Sequence, residues 1–221
     1  MKLFIQAFSK LIFTVIVLSV LLFFPAGTIA YVGGWRFIGL LCGMMCILCV
    51  LLMLFNPELL RKRLQAKEKQ AEQKSVVLYS GLMFISVFVI AGLDFRYGWS
   101  HMPSWLIVAG CLMLIVSYVG FGEVLRENAF LSRTVEVQQG QQVISTGLYG
   151  IVRHPMYSVI SVLYLSIPFV LGSYCALLPL ALYPLIIVYR ILAEERLLRE
   201  ELVGYEEYTR NVRFRLIPGL W

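Results

Sequence analysis

The sequence predicts an all-α integral membrane protein with about six transmembrane helices, arranged as a single membrane domain over residues 1–221. Two observations support this fold class. Hydrophobic residues make up 60% of the chain, whereas a soluble globular domain contains about 45–50%. These residues are concentrated in runs that can cross a hydrocarbon core of about 30 Å, and polar or charged segments separate the runs.

The apolar runs give the predicted order of the transmembrane helices. The runs are residues 11–24, 35–55, 76–93, 103–121, 155–171 and 174–189. We expect the first helix to be retained and to continue to about Tyr31, although residues 25–30 also resemble a signal-peptide cleavage site. The sixth run continues without a break into residues 190–202, so one helix is expected to leave the membrane and extend into water.

The second run carries two patterns with helical spacing. Gly39 and Gly43 form a pair of small residues that lets another helix approach closely. Cys42, Cys46 and Cys49 share one helix face, which favours packing over a soft metal site. The chain has five cysteines, an odd number, and all of them lie in apolar runs. We therefore expect neither a disulfide framework nor a bound metal.

The distribution of positive charge predicts how the helices are oriented. If the N-terminus is cytoplasmic, 17 of the 19 lysines and arginines lie in cytoplasmic segments, which include the charged loop at residues 58–75. Only Arg36 and Arg96 lie on the other side. This is the positive-inside pattern of membrane proteins. The net charge of +6 therefore indicates orientation in a membrane, and we predict no nucleic-acid partner.

A polar stretch at residues 147–158 lies between two apolar runs and contains one of the two histidines of the chain. Arg153, His154 and Tyr157 stand at the entry to the fifth predicted helix. Because ionisable groups are costly in lipid, such residues indicate a functional site by default. The alternative is a polar loop that only precedes a membrane helix.

A second group of charged residues lies where the sixth run meets water. Arg190 and Glu194 are one helical turn apart, and Glu195 follows. The hairpin of the fifth and sixth helices should bring this group close to the polar stretch. The alternative is a solvated helix with ion pairs such as Glu195 with Arg199. That alternative explains Arg190 less well, because Arg190 directly ends an apolar run.

Several common enzyme motifs are missing from the sequence. It contains no HExxH motif, Walker lysine loop, GxSxG elbow or GxGxxG fingerprint. A Rossmann-type cofactor domain is therefore not expected. A cofactor would have to bind in a mixed polar pocket made by residues 123–153, the ends of the hairpin and the C-terminal tail.

These polar residues resemble the isoprenylcysteine carboxyl methyltransferase family, which is related to the phospholipid methyltransferases. The resemblance rests on Gly147-Leu148-Tyr149, on Arg153-His154-Pro155-Met156-Tyr157, on Arg190 with Glu194-Glu195, and on the tyrosine-rich tail at residues 205–208. The combination of RHPxY with a downstream RxxxEE between apolar runs is quite specific. It defines a methyltransferase-like region at residues 127–221, whereas residues 1–126 are similar only in being membrane helices.

The resemblance implies S-adenosylmethionine as the methyl donor and Arg190 as the catalytic residue that binds the substrate. The cofactor contacts that it implies are Gln141, Gln142, Val143, Ile144, Tyr149, His154, Pro155, Met156, Tyr157 and Glu194. Three positions depart from the family pattern: Gln141 replaces a histidine, Leu148 a proline and Val159 a glycine. We expect Val159 to narrow the approach of the cofactor to the backbone.

The function implied is carboxyl O-methylation of a lipidic substrate similar to isoprenylcysteine, with membrane lipids as neighbours and the active site on the cytoplasmic side. A carboxylate needs no general base, because it is already ionised at neutral pH. The alternatives are a phospholipid amine N-methyltransferase, an NADPH-dependent sterol-type reductase and a non-enzymatic membrane scaffold. The acidic Glu194-Glu195 pair argues against NADPH, whose phosphates need a basic cluster.

Overall fold

The computed structural model describes residues 2–65, 71–128, 130–131 and 137–221, except the side chains of residues 2, 65 and 71–74. Within these residues the chain forms helices and no strand, which confirms the predicted all-α class. The helices are α1 (Lys2–Ala26), α2 (Val32–Phe55), α3 (Pro57–Gln65), α4 (Ala71–Tyr97), α5 (Ser104–Glu127), α6 (Pro155–Leu171), α7 (Leu177–Leu180), α8 (Tyr183–Glu201) and α9 (Tyr205–Asn211). The charged loop at residues 58–75 therefore begins and ends in helix, and residues 66–70 lie outside the described part.

Helices of membrane-spanning length account for most of the fold. Five segments are long and apolar enough to cross a membrane: Leu3–Ala26, Val32–Phe55, Ser75–Tyr97, Ser104–Glu127 and Leu177–Glu201. Helix α6 is also apolar but has only 17 residues. The protein is thus a helical integral membrane protein, and the six predicted runs correspond to these five segments and α6.

The boundary between α1 and α2 differs from the prediction. Helix α1 ends at Ala26, not near Tyr31, because Gly27 follows with a φ of +68°. This left-handed conformation commonly ends a helix. Tyr31 instead precedes α2, and its hydroxyl donates a hydrogen bond of 2.8 Å to the carbonyl of Leu171. Hydropathy alone does not reveal this boundary, because the residues on both sides of the turn are apolar.

The sixth predicted helix is interrupted. Helix α7 ends at Leu180 and α8 begins at Tyr183. Pro184 lies in the first turn of α8, where its missing N–H does no harm, whereas in a continuous helix it would leave the Leu180 carbonyl without its donor. From Tyr183 the helix runs past Arg190 to Glu201, so the predicted continuation beyond the apolar run is confirmed.

A glycine on α5 allows close packing against α6. A Cβ atom added to Gly110 would lie 2.5 Å from the Cβ of Phe169, so no larger residue fits without movement. At Gly39 and Gly43 of α2, by contrast, an added Cβ meets nothing within 4 Å. The close helix approach predicted for that pair is therefore wrong among the described residues.

A buried carboxylate joins helices at the C-terminal end of α6. Asp94 of α4 is 2% exposed and accepts hydrogen bonds from the Ser100 backbone N–H, at 2.7 Å, and from the Ser100 hydroxyl, at 2.5 Å. The hydroxyl of Ser173, just after α6, also donates to Asp94. These hydrogen bonds fix the loop after α4 at the end of α6 that lies away from His154.

This arrangement allows a test of orientation. The loop with His101 and helix α9 lie at opposite ends of α6. In a variant without the five native cysteines, we expect a cysteine at Arg210 to react with an impermeant maleimide only from the cytoplasmic side. A cysteine at His101 should react only from the opposite side. Labelling of both positions from one side would contradict the orientation inferred from the positive charges.

Candidate functional site

Glu195 of α8 is a buried carboxylate, 3% exposed, that interacts with three basic side chains. Its Oε1 lies 3.1 Å from Nε of Arg153 and 3.3 Å from Nε2 of His154. Its Oε2 accepts a hydrogen bond of 3.0 Å from Nε of Arg215 in the tail. Because a buried charge is tolerated only when it is paired and hydrogen-bonded, this cluster ties together α8, the segment before α6 and the tail.

The backbone adds a second connection between the tail and the start of α6. The N–H of Arg153 donates to the carbonyl of Phe214, and the N–H of His154 donates to the carbonyl of Arg215, both at 2.9 Å. Pro155 explains why the backbone N–H of His154 is free to bond to the tail and is not part of a helix. It keeps the preceding residue out of the helical conformation, and His154 has a φ of −124° and a ψ of 61°.

Glu194 takes part in a separate chain of polar contacts. The hydroxyl of Tyr157 donates to Oε2 of Glu194 at 2.5 Å, and Nε of Arg190 donates to the same hydroxyl at 2.9 Å. Nδ1 of His154 lies 3.9 Å from Oε1 of Glu194. The polar stretch and the charged end of α8 therefore meet, as the hairpin predicted, and His154 lies between the two adjacent carboxylates.

Tyr149 is held in a 3₁₀ turn at Gly147–Gly150. Nδ2 of Asn128 donates to its hydroxyl at 2.9 Å, and the hydroxyl of Tyr208 donates to its carbonyl at 2.7 Å. Gly147 has a φ of +51°, and a Cβ there would overlap the Glu127 carboxylate. Burial raises the pKa of Tyr149 to about 12, so its hydroxyl stays protonated at neutral pH.

These groups surround one cavity between the α5–α6 connection, the start of α6, the second half of α8 and α9. All the residues that the resemblance assigns to the cofactor line it: Gln141, Gln142, Val143, Ile144, Tyr149, His154, Pro155, Met156, Tyr157 and Glu194. The other lining residues are Asn128, Phe130, Leu131, Arg153, Leu197, Leu198, Leu202, Tyr205 and Tyr208. Arg190 does not line the cavity and reaches it through Tyr157.

The sequence analysis gave no role to several polar residues of this cavity, of which Tyr205 is the most informative. Tyr205 is 4% exposed, and its hydroxyl has no hydrogen-bond partner among the described residues. Burial raises the pKa of Tyr205, and the nearby carboxylates of Glu195 and Glu194 raise it further. The phenol is therefore neutral. The i, i+3 spacing of Tyr205 and Tyr208, typical of one helix face, was the signal that could have identified both.

Val159 lies elsewhere than the sequence analysis expected. It does not line this cavity and instead faces α5, where a Cβ on Gly120 would lie 2.8 Å from Cγ1 of Val159. Val159 is therefore not placed to narrow this cavity directly, as the sequence analysis expected. Among the residues that the structure describes, no group of three or more histidine, cysteine or acidic residues could hold a metal ion.

We predict that Glu195→Gln strongly destabilises the fold. The substitution keeps the volume but leaves the buried Arg153 without its counter-charge, which typically costs about 3–5 kcal/mol. The matched control is Glu206→Gln, because Glu206 pairs with Arg199 at 3.2 Å on an exposed surface, where a pair contributes about 0–1 kcal/mol. Thermal unfolding in detergent compares the two variants, and equal effects would contradict the assigned role of Glu195.

Comparison with known proteins identifies a related family over part of the chain. None of the curated proteins compared with the chain matches it. The family model described as phospholipid methyltransferase matches residues 103–202. This segment contains α5, the connection, α6, α7 and α8, and it excludes α1 to α4 and α9. From the start of α5 to the end of α8, the chain is thus similar to the phospholipid methyltransferases.

Proposed function

We propose that the protein is a membrane-embedded methyltransferase that uses S-adenosylmethionine. The observation that carries the proposal is the convergence of Tyr149, His154, Tyr157 and Glu194 on one cavity, within the segment that is similar to phospholipid methyltransferases. Isothermal titration of the purified protein tests it. We expect binding of S-adenosylmethionine and not of NADPH, and binding of NADPH alone would favour the reductase alternative.

The residues around the cavity suit this cofactor. S-Adenosylmethionine carries a sulfonium and an ammonium group, and cations favour carboxylates and the faces of aromatic rings. Glu194 provides a carboxylate, and Tyr149 and Tyr157 provide aromatic rings. Gln141 provides amide donors and acceptors for ribose or adenine, and the apolar side chains of the lining suit the adenine ring.

Tyr205 gives a test of the pocket that does not depend on activity. Because its hydroxyl has no partner among the described residues, Tyr205→Phe removes no known protein hydrogen bond and should not lower stability. We propose that a polar group of the cofactor accepts or donates the missing hydrogen bond. The Kd for S-adenosylmethionine should then rise roughly fivefold or more, since a hydrogen bond contributes about 1 kcal/mol.

Tyr208→Phe is the matched control for that experiment. Its hydroxyl donates to the carbonyl of Tyr149 at 2.7 Å, so its removal should lower the free energy of unfolding by about 1 kcal/mol. Differential scanning fluorimetry and titration calorimetry separate the two effects. Wild-type affinity in Tyr205→Phe would show that the cofactor does not contact this hydroxyl.

For the methyl acceptor we propose a carboxylate held by Arg190. Arginine binds carboxylates through a planar fork of N–H donors, and the hydrogen bond to Tyr157 orients the Arg190 guanidinium. Bound S-adenosylmethionine would supply an electrophilic methyl group, and Arg190 would hold the carboxylate that accepts it. The remaining task of the protein is to position and desolvate the carboxylate.

The position of Arg190 supports a lipidic acceptor, such as an isoprenylcysteine-like acid. Arg190 follows the apolar first half of α8, and Glu194 is one turn further along the same helix. A lipid tail can therefore remain between apolar helices while its carboxylate meets Arg190 and the cofactor lies beyond. The positive-inside pattern supports the proposal that this site faces the cytoplasm.

Two variants on α8 should separate acceptor binding from cofactor binding. Arg190→Lys keeps the charge but loses the planar fork. We expect it to lower methyl transfer about tenfold or more, since a charged hydrogen bond contributes about 1.5–3 kcal/mol, while cofactor affinity stays near wild type. Glu194→Gln should weaken cofactor binding first. If both variants lose only cofactor affinity, Arg190 belongs to the cofactor pocket and the acceptor assignment fails.

Phospholipid amine N-methylation is the second candidate, because the matching family carries the description phospholipid methyltransferase. An ammonium group must lose a proton before it can attack, so this reaction needs a base that O-methylation does not need. Transfer of labelled methyl groups to a panel of lipidic acids and amines distinguishes the two reactions. Methylation of amines alone would exclude the carboxylate proposal.

A further inference from the structure

A second and larger cavity is lined by residues of α6 that follow Tyr157, and Arg190 is not among its lining residues. It is lined by residues of α1, α2, α3, α5 and α6 and has a volume of about 710 Å³. Ligand sites for small molecules usually have volumes of about 300–1,000 Å³. Nothing in the proposed methyl transfer uses this space.

The walls of this second cavity are mostly apolar. They include Phe8 and Leu11 of α1, Met45 of α2 and Leu163 of α6. Along α1 the lining extends from Phe4 to Thr14, and ten residues of helix correspond to about 15 Å. Phe8 and Leu54, which are 52% and 70% exposed, form the outer rim. The cavity is therefore a long apolar slot that opens on the lipid-facing side of the bundle.

Two cations lie in the lining of the slot. The Nζ of Lys10 donates to the carbonyl of Leu64 at the end of α3, which fixes the ammonium group. The guanidinium of Arg63 lies 5.0 Å from the centre of the Phe121 ring. Of the described residues that line the slot, none is acidic. The slot therefore presents two basic side chains beside its apolar walls.

We propose that the slot binds one membrane lipid, with an anionic phosphate headgroup at Lys10 and Arg63 and an acyl chain between α2 and α6. Charge complementarity selects an anionic lipid over a neutral one, because basic groups at a membrane surface attract anionic headgroups by about 1 kcal/mol each. The apolar walls accept the chain. The site differs from the proposed methyl-acceptor site, since Arg190 does not line it, and it does not require the proposed reaction.

Val159 fits this second role. It lines the slot with Ile160 and Leu163, and its contact with Gly120 joins α6 to α5. A chain bound here would pack against the first turns of α6, directly after His154 and Tyr157. The lipid should therefore stabilise the helix that supports the candidate active site.

The test uses the full protein in phosphatidylcholine nanodiscs that contain a trace of a photoactivatable phosphatidylglycerol or a photoactivatable phosphatidylcholine. We expect the anionic probe to crosslink to slot-lining residues of α2 and α6 several-fold more than the neutral probe. The double variant Lys10→Gln/Arg63→Gln should reduce crosslinking by the anionic probe, by roughly fivefold for each charge removed. Equal crosslinking by both probes would mean that only bulk lipid enters, and would overturn the proposal.

A pair of tryptophan variants tests the slot independently of the two charges. Cys46→Trp places a large ring in the slot, whereas Ile47, the next residue, does not line it and is 55% exposed. We expect Cys46→Trp to abolish the preference for the anionic probe and Ile47→Trp to retain it. Both variants are first checked for native helix content by circular dichroism. A retained preference in folded Cys46→Trp would place the lipid elsewhere and overturn the proposal.

Discussion

The Glu195 carboxylate is buried among two arginines and a histidine that come from separate parts of the chain. Arg153 and His154 precede α6, and Arg215 lies in the tail after α9. Burying these groups singly would cost several kcal/mol each, and only their mutual pairing offsets that cost. Their pairing brings α8, the start of α6 and the tail together. The geometry of the candidate pocket depends on this arrangement.

Adjacent residues on α8 have different tasks because successive side chains on a helix point in directions about 100° apart. Glu195 points to the buried cluster and holds the segments together. Glu194 points to the cavity, where it accepts a hydrogen bond from Tyr157. His154 contacts both carboxylates and so couples the cluster to the pocket wall. This division explains why an acidic pair, and not one acidic residue, follows Arg190 by one turn.

Helix α6 contributes to two cavities of different character. One face carries Tyr157 and contributes to a polar pocket in the segment similar to phospholipid methyltransferases. Further along the helix, Val159, Ile160, Leu163 and Tyr164 contribute to an apolar slot with two cations. The departure from the family pattern at Val159 therefore changes the lining of the apolar slot. Val159 departs from the glycine expected there, yet it lies against α5 and does not line the polar pocket.

The sequence by itself determined the helical membrane class and the order of the apolar runs, because hydropathy is written in consecutive residues. The residues that converge on the pocket were implied by the resemblance of its motifs to a known family. All ten positions assigned to the cofactor line one cavity, although their role there remains a proposal. Only the tertiary structure decided the break before α8, the pairing of Arg215 with Glu195, the second cavity and the buried hydroxyl of Tyr205, which no described residue pairs. These features depend on contacts between residues far apart in the chain. Such contacts are set by packing and by the pairing of buried charge, which no local pattern encodes.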